Sequence, residues 1–544
     1  PDKPAGLRLP GPPAAGLTGL VVYGSLKKID QISNKSGNGD TNMKRLASRM
    51  RSAALTGLLL TALGGVAHAT DLRIALADDP DALDTRTNRA QTGVTVMTVM
   101  CDHLLWTDSE LTLLPGLAKS WSWSPDGTEL TLDLVEGATF QDGTPFDAEA
   151  VKINIERYQT PGSQRADDIS TIKSVEVVSP SRVLIKTSEP SAQLLGKFAE
   201  RVGVMFSPKA IKELGDDLGR APVCIGPYKF VERVAQDRIV VAKDPNYYDA
   251  AKYAFDRVIF RIIPDDAVRL TNLQAGEVDL IEKIDPSSVA TVEQDAKLQL
   301  IPLKVLSNQT LVINLDHKGP LQDPKIREAL ELSLDRQAIV DVAFAGQYKA
   351  GNQFTPPDSP FYNTDLPMPA RDPAKAKALI AEAGLKEPVP VTILVPNRPL
   401  LVRVAEMMQA MGSDAGFDLK LDVVDFGTTL KLTNEGNFEV WGPIGVQFAN
   451  DVDTAAFPVL HSTGGRNLSR YKSAEMDKIL EATRTATDPK ERMRFFKEAA
   501  AVAVKDRPVI YLYHLRPLFA ATSKLKGFHA TGDAFIRLDG VTLD

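Results

Sequence analysis

The stretch "LPGLAKSWSWSPDGTELTLDLVEGATFQDGTPFDAEAVK", residues 114–152, predicts a strand, a turn and a helix in that order. In "ELTLDLVEG" the leucines alternate with polar residues, a pattern typical of a strand with one buried face. The pair Asp142-Gly143 then predicts a turn, because these residue types favour the backbone angles of turns. Asp147 predicts a helix start, since its carboxylate can accept hydrogen bonds from the backbone N–H groups that a helix start leaves unpaired.

Alternating apolar residues predict further strands on both sides of this stretch. Residues 70–86 predict a strand that ends at a turn rich in Asp and Pro. A later helix is expected to end at Gly276, because glycine readily adopts the backbone angles of a helix end. The other segments predicted for the first half are the helix "AQTGVTVMTVMCDHLL" (90–105), the hairpin "VEVVSPSRVLIKT" (175–187), the strands "DRIVVAK" (237–243) and "FDRVIFRII" (255–263), and the helix and strand of "DDAVRLTNLQAGEVDLIE" (265–282).

From Asp323 to about Leu512, helical patterns dominate and alternate with strands such as "VPVTILVP" (389–396). This order is typical of a doubly wound α/β lobe. Two helix starts, at Asp323 and Asp488, carry an Asp-Pro pair, in which Asp caps the helix and proline occupies the first turn, where its missing N–H costs nothing. In "QDPKIREALELSLDRQAIV" (322–340), one helix face is predicted from Ile326, Leu330 and Leu334.

Residues 43–69, "MKRLASRMRSAALTGLLLTALGGVAHA", have the three parts of a secretory signal peptide. A basic region precedes an uncharged run that is shorter than the roughly 20 apolar residues of a membrane span. Ala67-His68-Ala69 then provides the small residues that a signal peptidase recognises, and no cysteine follows that could carry a lipid anchor. We therefore expect a periplasmic protein that is not lipid-anchored, with residues 1–42 as a disordered upstream extension or tag.

The charge balance and the cysteines limit the partners further. The chain has 63 Lys and Arg against 70 Asp and Glu, a net charge of −7, and its first 69 residues are basic, so the remainder is more acidic still. This excludes nucleic acid and an anionic membrane surface as expected partners. Cys101 and Cys224 could form a disulfide in an oxidising compartment, or could be two small buried residues.

The sequence lacks the motifs on which common enzymes depend. It contains no G-x-S-x-G, no phosphate loop ending in G-K-[ST], no H-E-x-x-H, and no G-x-G-x-x-G after the first strand. Its histidines are scattered, without the i, i+4 spacing that suits a metal. We therefore expect no enzyme, no cofactor and no metal site, with a secreted hydrolase as a remote alternative.

The stretch at residues 114–152 resembles the extracytoplasmic solute-binding proteins of ABC importers for peptides and nickel, known as family 5. The resemblance rests on Leu117-Ala118, Trp121, Asp126-Gly127, and Phe140-x-Asp142-Gly143-x-Pro145. It continues in family order through "APVCIGPYKF" (221–230), where Cys224-Ile225 replaces the usual Gly-Thr, "RLTNLQAGEVDL" (269–280), "DPKIREALELSLDRQAIV" (323–340), "GGRNLSRYKSAEMDKIL" (464–480) and the segment 488–514. It thus covers essentially all of residues 70–544.

The resemblance implies an α/β, two-lobed periplasmic-binding-protein-like fold with an extra subdomain in the larger lobe. The first lobe would contain residues 70–313 and 512–544, with the inserted subdomain at about 104–220, and the second lobe residues 314–511. The two crossings between the lobes, near "TLVINLD" (310–316) and "VIYLYH" (509–514), would form the hinge. The family's mechanism is capture of a solute in the cleft between the lobes.

The resemblance and the predicted strand ends suggest the following ligand-binding residues: Met100, His103, Asn308, Gln309, Gln353, Phe354, Arg398, Trp441, Gln447, Phe448, Asp451 and Asp453. Arg398 could hold a ligand carboxylate or could be a solvated loop residue. Phe448 falls where some peptide binders place an acid, and an apolar side chain cannot pair with an ammonium group. Either the ligand lacks a free α-amino group or Asp451 takes that role.

We therefore expect the binding component of an ABC importer for a peptide-like or similar polar organic solute. Its partners would be that small molecule or short peptide and an inner-membrane ABC permease, and we expect the protein itself to be a monomer. Within the same class, the alternative is a binder of a metal (nickel) chelate, with His461 as the natural ligand, or of an opine- or sugar-like solute.

Overall fold

A computed structural model describes residues 70–445, 450–530 and 534–544, all within the second of two compact units, Ala69–Asp544. The predicted signal peptide (43–69) and upstream extension (1–42) lie outside the described residues. Among the described residues, none of the helices has the length and apolar character that a membrane crossing requires.

The helices are α1 (Gln91–Met100), α2 (Ala148–Tyr158), α3 (Leu194–Phe198), α4 (Pro208–Leu214), α5 (Asp266–Ala275), α6 (Val289–Gln294), α7 (Pro324–Leu332), α8 (Arg336–Phe344), α9 (Pro373–Glu382), α10 (Pro399–Asp414), α11 (Phe426–Glu435), α12 (Asp453–Leu460), α13 (Ala474–Thr485) and α14 (Pro489–Asp506). The strands are β1 (Asp71–Leu76), β2 (Leu105–Thr107), β3 (Leu113–Pro115), β4 (Ala118–Trp123), β5 (Glu129–Leu134), β6 (Ile172–Ser179), β7 (Arg182–Thr187), β8 (Tyr228–Val234), β9 (Arg238–Lys243), β10 (Arg257–Ile262), β11 (Leu280–Ile281), β12 (Leu298–Pro302), β13 (Gln309–Ile313), β14 (Lys349–Ala350), β15 (Val389–Pro396), β16 (Phe417–Val424), β17 (Val440–Ile444), β18 (Val509–His514), β19 (Leu518–Thr522), β20 (Leu525–Lys526), β21 (His529–Ala530), β22 (Ile536–Arg537) and β23 (Thr542–Leu543).

A mixed seven-stranded sheet forms the centre of the first lobe, in the order β12-β19-β11-β1-β10-β9-β8. The predicted first strand is β1, whose Leu72, Ile74 and Leu76 are fully buried. β1 pairs in parallel with both β10 and β11, while the flanking pairs are antiparallel. Gly276 ends α5 with φ +75°, as its sequence predicted.

The inserted subdomain has its own four-stranded antiparallel sheet, in the order β4-β5-β7-β6, and its own hydrophobic core drawn from residues 104–225. The three leucines of β5 point into this core and are fully buried, which confirms the predicted strand with one buried face. Asp147 caps α2 by accepting a hydrogen bond from the Ala150 N–H at 3.0 Å.

A disulfide between Cys101 and Cys224 ties the two ends of the inserted subdomain together. Cys101 directly follows α1, and Cys224 lies just before β8, 123 residues later. Next to the disulfide, the Asp102 N–H donates to the Ile225 carbonyl at 2.7 Å. The bond thus closes the neck through which the chain leaves and re-enters the first lobe, and it resolves the alternative that the sequence left open.

The second lobe contains a six-stranded sheet in the order β14-β18-β13-β17-β15-β16. Only β15, β16 and β17 run parallel, whereas β13, β14 and β18 pair antiparallel, so the sheet is mixed and not purely doubly wound. The physical reason is that β13 enters this lobe and β18 leaves it. Such entering and leaving strands lie side by side in opposite directions.

Both predicted Asp-Pro helix starts are present in the second lobe. Asp323 accepts from the Lys325 N–H at 2.8 Å, and Asp488 accepts from two backbone N–H groups of α14. The segment after Asp323 forms two helices, α7 and α8, where one continuous apolar face was predicted. Asp335 caps α8 by accepting from the Ala338 N–H, and Leu334 is buried in the turn between the two helices.

The chain crosses between the two sheets twice, at residues 303–308 and 515–517. β13 and β18 therefore both belong to the sheet of the second lobe. The sequence predicted the first boundary after residue 313, and the chain changes sheet a few residues before that point. It predicted the second boundary after residue 511, and the chain changes sheet a few residues after that point. The two crossings lie next to each other, since the Leu303 N–H donates to the Pro517 carbonyl at 2.9 Å.

Candidate functional site

A cavity of about 350 Å³ lies between the lobes and beside the second crossing. We call it the inter-lobe cavity. The first lobe contributes the start of α1, the segment after β11 and the start of β19, while the second lobe contributes Tyr348 and Leu400. Because its walls come from both lobes, a ligand in this cavity would touch both of them.

Arg516 is the notable cation of the inter-lobe cavity. It lies in the second crossing and is half-buried. Its Nε is buried without an acceptor, and the guanidinium makes no ion pair with any residue in the described part of the chain. A half-buried guanidinium without a partner is well suited to an anionic ligand group, which it can bind with two parallel hydrogen bonds.

Carboxylates line another part of the same cavity, at Asp266, Glu282 and Asp285. Burial raises the pKa of the Glu282 carboxyl, although the nearby Lys283 opposes this rise, and its Oε1 accepts from the Ala77 N–H at 3.0 Å. Lys283 itself pairs with Asp78 at 2.7 Å. Asp285 and Asp266 are exposed, so their charges are available at the rim.

The second lobe faces these groups with an aromatic and an aliphatic side chain. Tyr348 packs against Phe344, with ring centres 4.5 Å apart and the rings tilted by 30°. Burial raises the pKa of its hydroxyl to about 12, so it remains a neutral hydrogen-bonding group. Leu400 lies in the first turn of α10 and is 37% exposed. The cavity therefore combines a cation, carboxylates and an apolar surface.

The predicted residues Asn308 and Phe354 lie together inside the second lobe, where Asn308 Nδ2 donates to the Phe354 carbonyl at 3.1 Å. Gln309 Nε2 donates to the Asn308 carbonyl at 3.0 Å. Gln353 exchanges two hydrogen bonds with the backbone of Asn363. All four predicted residues are buried and have structural partners.

Arg398 and Trp441 lie elsewhere in the second lobe. Arg398 is exposed and lies directly before α10, two residues before the cavity-lining Leu400. Its guanidinium lies over the Phe426 ring, 4.5 Å from the ring centre. Trp441 is buried in β17 among apolar side chains. Gln447 and Phe448 lie outside the described residues, between Gly445 and Asn450.

The predicted pair Asp451 and Asp453 is buried and bound to two arginines. Asp451 accepts two hydrogen bonds from Arg492, at 2.7 and 2.8 Å, and Asp453 accepts two from Arg484, at 3.0 and 2.9 Å. Both carboxylates therefore already have a cationic partner within the second lobe.

Met100 and His103 are fully buried at the junction of the first lobe and the inserted subdomain. His103 Nδ1 lies 3.1 Å from the Ala199 carbonyl, and its ring stacks on Trp106 at 4.2 Å. Burial lowers the pKa of His103 to about 3, so its ring is neutral at neutral pH. Neither residue is among the described residues that line the inter-lobe cavity.

His461, the residue named for a metal-chelate ligand, packs inside the second lobe. Its ring stacks on Phe457 at 4.1 Å, and the Thr463 N–H donates to its Nδ1 at 3.1 Å. Across the described ranges, no group of three or more His, Cys, Asp or Glu side chains has a geometry that could hold a metal ion.

Sequence reasoning missed Arg516, Tyr348 and the carboxylates after β11. A usable signal existed for Arg516, because "LRP" directly follows the predicted crossing strand "VIYLYH", and a charged residue in a hinge lies next to the cleft. No comparable signal marks Tyr348, whose position depends on how the second lobe folds over the first.

The comparisons with known proteins agree with this architecture. The family model "Bacterial extracellular solute-binding proteins, family 5 Middle" matches residues 112–467. The glutathione-binding protein GsiB of Salmonella paratyphi A is 28% identical over 487 residues, which is 87% of this chain and 95% of that protein. The match to this relative therefore covers nearly its whole length.

Solved structures share the fold at lower identity. HbpA2 from Haemophilus parasuis has a TM-score of 0.81 and 23% identity, covering 87% of this chain and 100% of that one. DppA from Helicobacter pylori, in complex with the peptide STSA, has a TM-score of 0.72 and 24% identity, covering 87% and 98%. The fold is thus that of two-lobed periplasmic binding proteins. The chain belongs to the bacterial extracellular solute-binding proteins of family 5, which are binding proteins and not enzymes.

Proposed function

We propose that this chain is the substrate-binding component of an ABC importer, which captures a peptide-like or similar polar organic solute in the inter-lobe cavity and delivers it to a membrane permease. The observation that carries the proposal is Arg516, a half-buried guanidinium in the cavity wall without an acceptor among the described residues. Such a group binds a carboxylate with particular strength.

The charges of the cavity favour a zwitterionic ligand. Arg516 would hold a carboxylate, while Asp285 and Asp266 at the rim would attract an ammonium group. Peptides carry both groups. The relative GsiB is named for binding glutathione, and the DppA structure contains the peptide STSA, so ligands of this class occur among similar proteins.

The volume of the inter-lobe cavity is consistent with a short peptide. About 350 Å³ lies at the lower end of the range of small-molecule pockets. Because both lobes line the cavity, a bound ligand favours the closed arrangement, in which the lobes meet. The shift in the equilibrium equals the difference between the ligand's binding free energies for the closed and the open arrangement. A permease that recognises the closed form would then select the loaded protein.

We keep Gln447 and Phe448 as proposed ligand contacts, because the described residues on either side lie where parts of the fold meet. The Gly445 backbone lies against the Asn308 carbonyl, so closely that a Cβ there would be 2.1 Å from its oxygen. Asn450 accepts a hydrogen bond from Thr107 of the first half of the chain at 2.7 Å. We further propose a periplasmic location and a monomeric state.

The test is to extract bound small molecules from the purified full chain and identify them by mass spectrometry. A thermal shift screen with reduced glutathione, Ser-Thr-Ser-Ala and Ni(II)-histidine complements it, since a ligand of the folded state raises the melting temperature. We expect a peptide-like zwitterion in the extract and a shift with one of the peptides. Stoichiometric nickel, or a shift only with the nickel complex, would replace the proposal by the metal-chelate alternative.

A further inference from the structure

A second and larger cavity, of about 660 Å³, lies between the inserted subdomain and the second lobe. Leu111 and Leu113, with Trp121 and Trp123 of β4, form one wall, while Phe361 and Met493 contribute to the other. We call it the tryptophan cavity. It shares no lining residue with the inter-lobe cavity.

The charged groups in the wall of the tryptophan cavity are already paired. Arg492 holds Asp451 through two hydrogen bonds, and Glu110 accepts from Lys304 at 2.6 Å. A charged ligand would therefore lose its hydration without gaining an unpaired counter-charge, which is costly. The electrostatics of this cavity thus select against ions and differ from those of the inter-lobe cavity.

Its aromatic side chains favour a flat ligand. Trp121, Trp123 and Phe361 line the space, and aromatic pairs gain free energy beyond the burial of area alone.

We propose that the tryptophan cavity is a second small-molecule site, which takes a neutral, planar aromatic compound. The size of the cavity is in the range of small-molecule pockets. The proposal goes beyond solute capture between the lobes, because the ligand class and the residues are different.

The inserted subdomain and the second lobe meet beside the tryptophan cavity, where the Asn450 N–H donates to Glu200 at 3.1 Å and the Ala192 N–H donates to the Arg484 carbonyl at 3.0 Å. A compound that touches both walls would stabilise these contacts.

The test uses the full chain and the probe 6-bromo-2-naphthol, which is neutral at pH 7, planar and marked by its bromine. Titration calorimetry measures its affinity for the wild type and for two variants, Trp121→Thr and Met493→Lys. Met493 lies on the partly exposed side of α14, so Met493→Lys introduces a charge into the cavity with little effect on the core. The matched control is Val231→Thr, which replaces an apolar strand residue that is 54% exposed and lines neither cavity.

We expect one bound probe per chain of the wild type. Trp121→Thr removes apolar surface from the cavity wall and Met493→Lys adds a charge, so each should reduce the affinity about tenfold or more. The control should bind the probe as the wild type does. The anomalous signal of bromine in a crystal should lie between Trp121 and Met493. Absence of saturable binding up to the probe's solubility limit, equal binding by Met493→Lys and wild type, or a bromine peak in the inter-lobe cavity would overturn the proposal. Binding of reduced glutathione or peptides is measured separately, so failure of this site leaves the proposed transport function standing.

Discussion

The Asp451 carboxylate accepts two hydrogen bonds from the Arg492 guanidinium, at 2.7 and 2.8 Å, at a point where the second lobe touches Gly196 of the inserted subdomain. Both side chains are largely buried, with 7% and 15% exposure. The carboxylate is thus already neutralised inside the protein. We therefore expect Asp451 to support the fold at this contact and not to bind a ligand ammonium.

Asp451→Asn should lower the free energy of unfolding by about 3 to 5 kcal/mol, because it leaves a buried guanidinium without its counter-charge. Urea denaturation measures this loss. The companion variant Asp453→Asn, which deprives Arg484 of its partner, should behave in the same way. If Asp451→Asn were as stable as wild type but no longer bound the solute, the carboxylate would be a ligand residue after all.

Gly196→Ala should weaken the contact between the inserted subdomain and the second lobe. A Cβ at this position would lie 2.7 Å from the Cβ of Asp451, which is held by its ion pair and cannot move aside easily. We expect a larger radius of gyration in small-angle X-ray scattering of the solute-loaded protein. Gly465→Ala is the control, since its Cβ would meet nothing within 4 Å. Identical scattering of Gly196→Ala and wild type would show that this contact does not hold the lobes together.

Removal of the disulfide by Cys101→Ser and Cys224→Ser should lower the free energy of unfolding by about 3 to 5 kcal/mol, because the bond closes a long loop in the unfolded chain. The two cysteines are 123 residues apart. Urea denaturation of the double variant should match that of the wild type treated with a reductant. A double variant as stable as the oxidised wild type would mean that the neck of the inserted subdomain is held by its backbone hydrogen bonds alone.

Acid should destabilise the protein partly through His514, which is buried beside the hinge with its Nδ1 against the Ser307 carbonyl. Burial lowers the pKa of His514 from 6.5 to about 4. Because the unfolded state binds this proton more tightly, the stabilising contribution is complete above pH 6.5 and is lost as the pH falls towards 4, by about 3 kcal/mol in total. The pH dependence of urea unfolding measures it.

In His514→Asn, the stability profile between pH 6.5 and 4 should be flatter than in the wild type, whatever the overall stability of the variant. The matched control is His317→Asn, which replaces an exposed histidine away from the hinge. Equal slopes for His514→Asn and wild type would show that this histidine is protonated at little cost in the folded state. Asp102, whose pKa burial raises to about 6, contributes a slope of opposite sign between pH 6 and 3.8 in all variants.

Local features were predictable from the sequence because short-range chemistry determines them. Asp147, Asp323 and Gly276 mark helix ends through their own backbone hydrogen bonds or angles, and the structure has each helix end there. The break at Asp335 was missed, because a helix face and a helix-turn-helix can present the same apolar spacing. Asp335 is a typical helix-capping residue, but the apolar spacing of Ile326, Leu330 and Leu334 favoured one continuous helix.

The candidate site was much less predictable, because it depends on contacts between residues far apart in the chain. Asp451 and Arg492 are 41 residues apart, and nothing in the sequence pairs them. Arg516 lines the inter-lobe cavity only because the second crossing runs between the two sheets. The resemblance to a family located the cleft, whereas the side chains that line it became visible only in the structure.

The most direct measurement of the central claim is titration calorimetry of the solute recovered from the purified protein against wild type, Arg516→Met and the control Arg494→Met, which alters an exposed arginine of α14. A charged hydrogen bond contributes about 1.5 to 3 kcal/mol, so Arg516→Met should weaken binding by about 10- to 100-fold, while Arg494→Met binds as the wild type does. Unchanged affinity in Arg516→Met would contradict the claim that the solute is held between the lobes by this guanidinium.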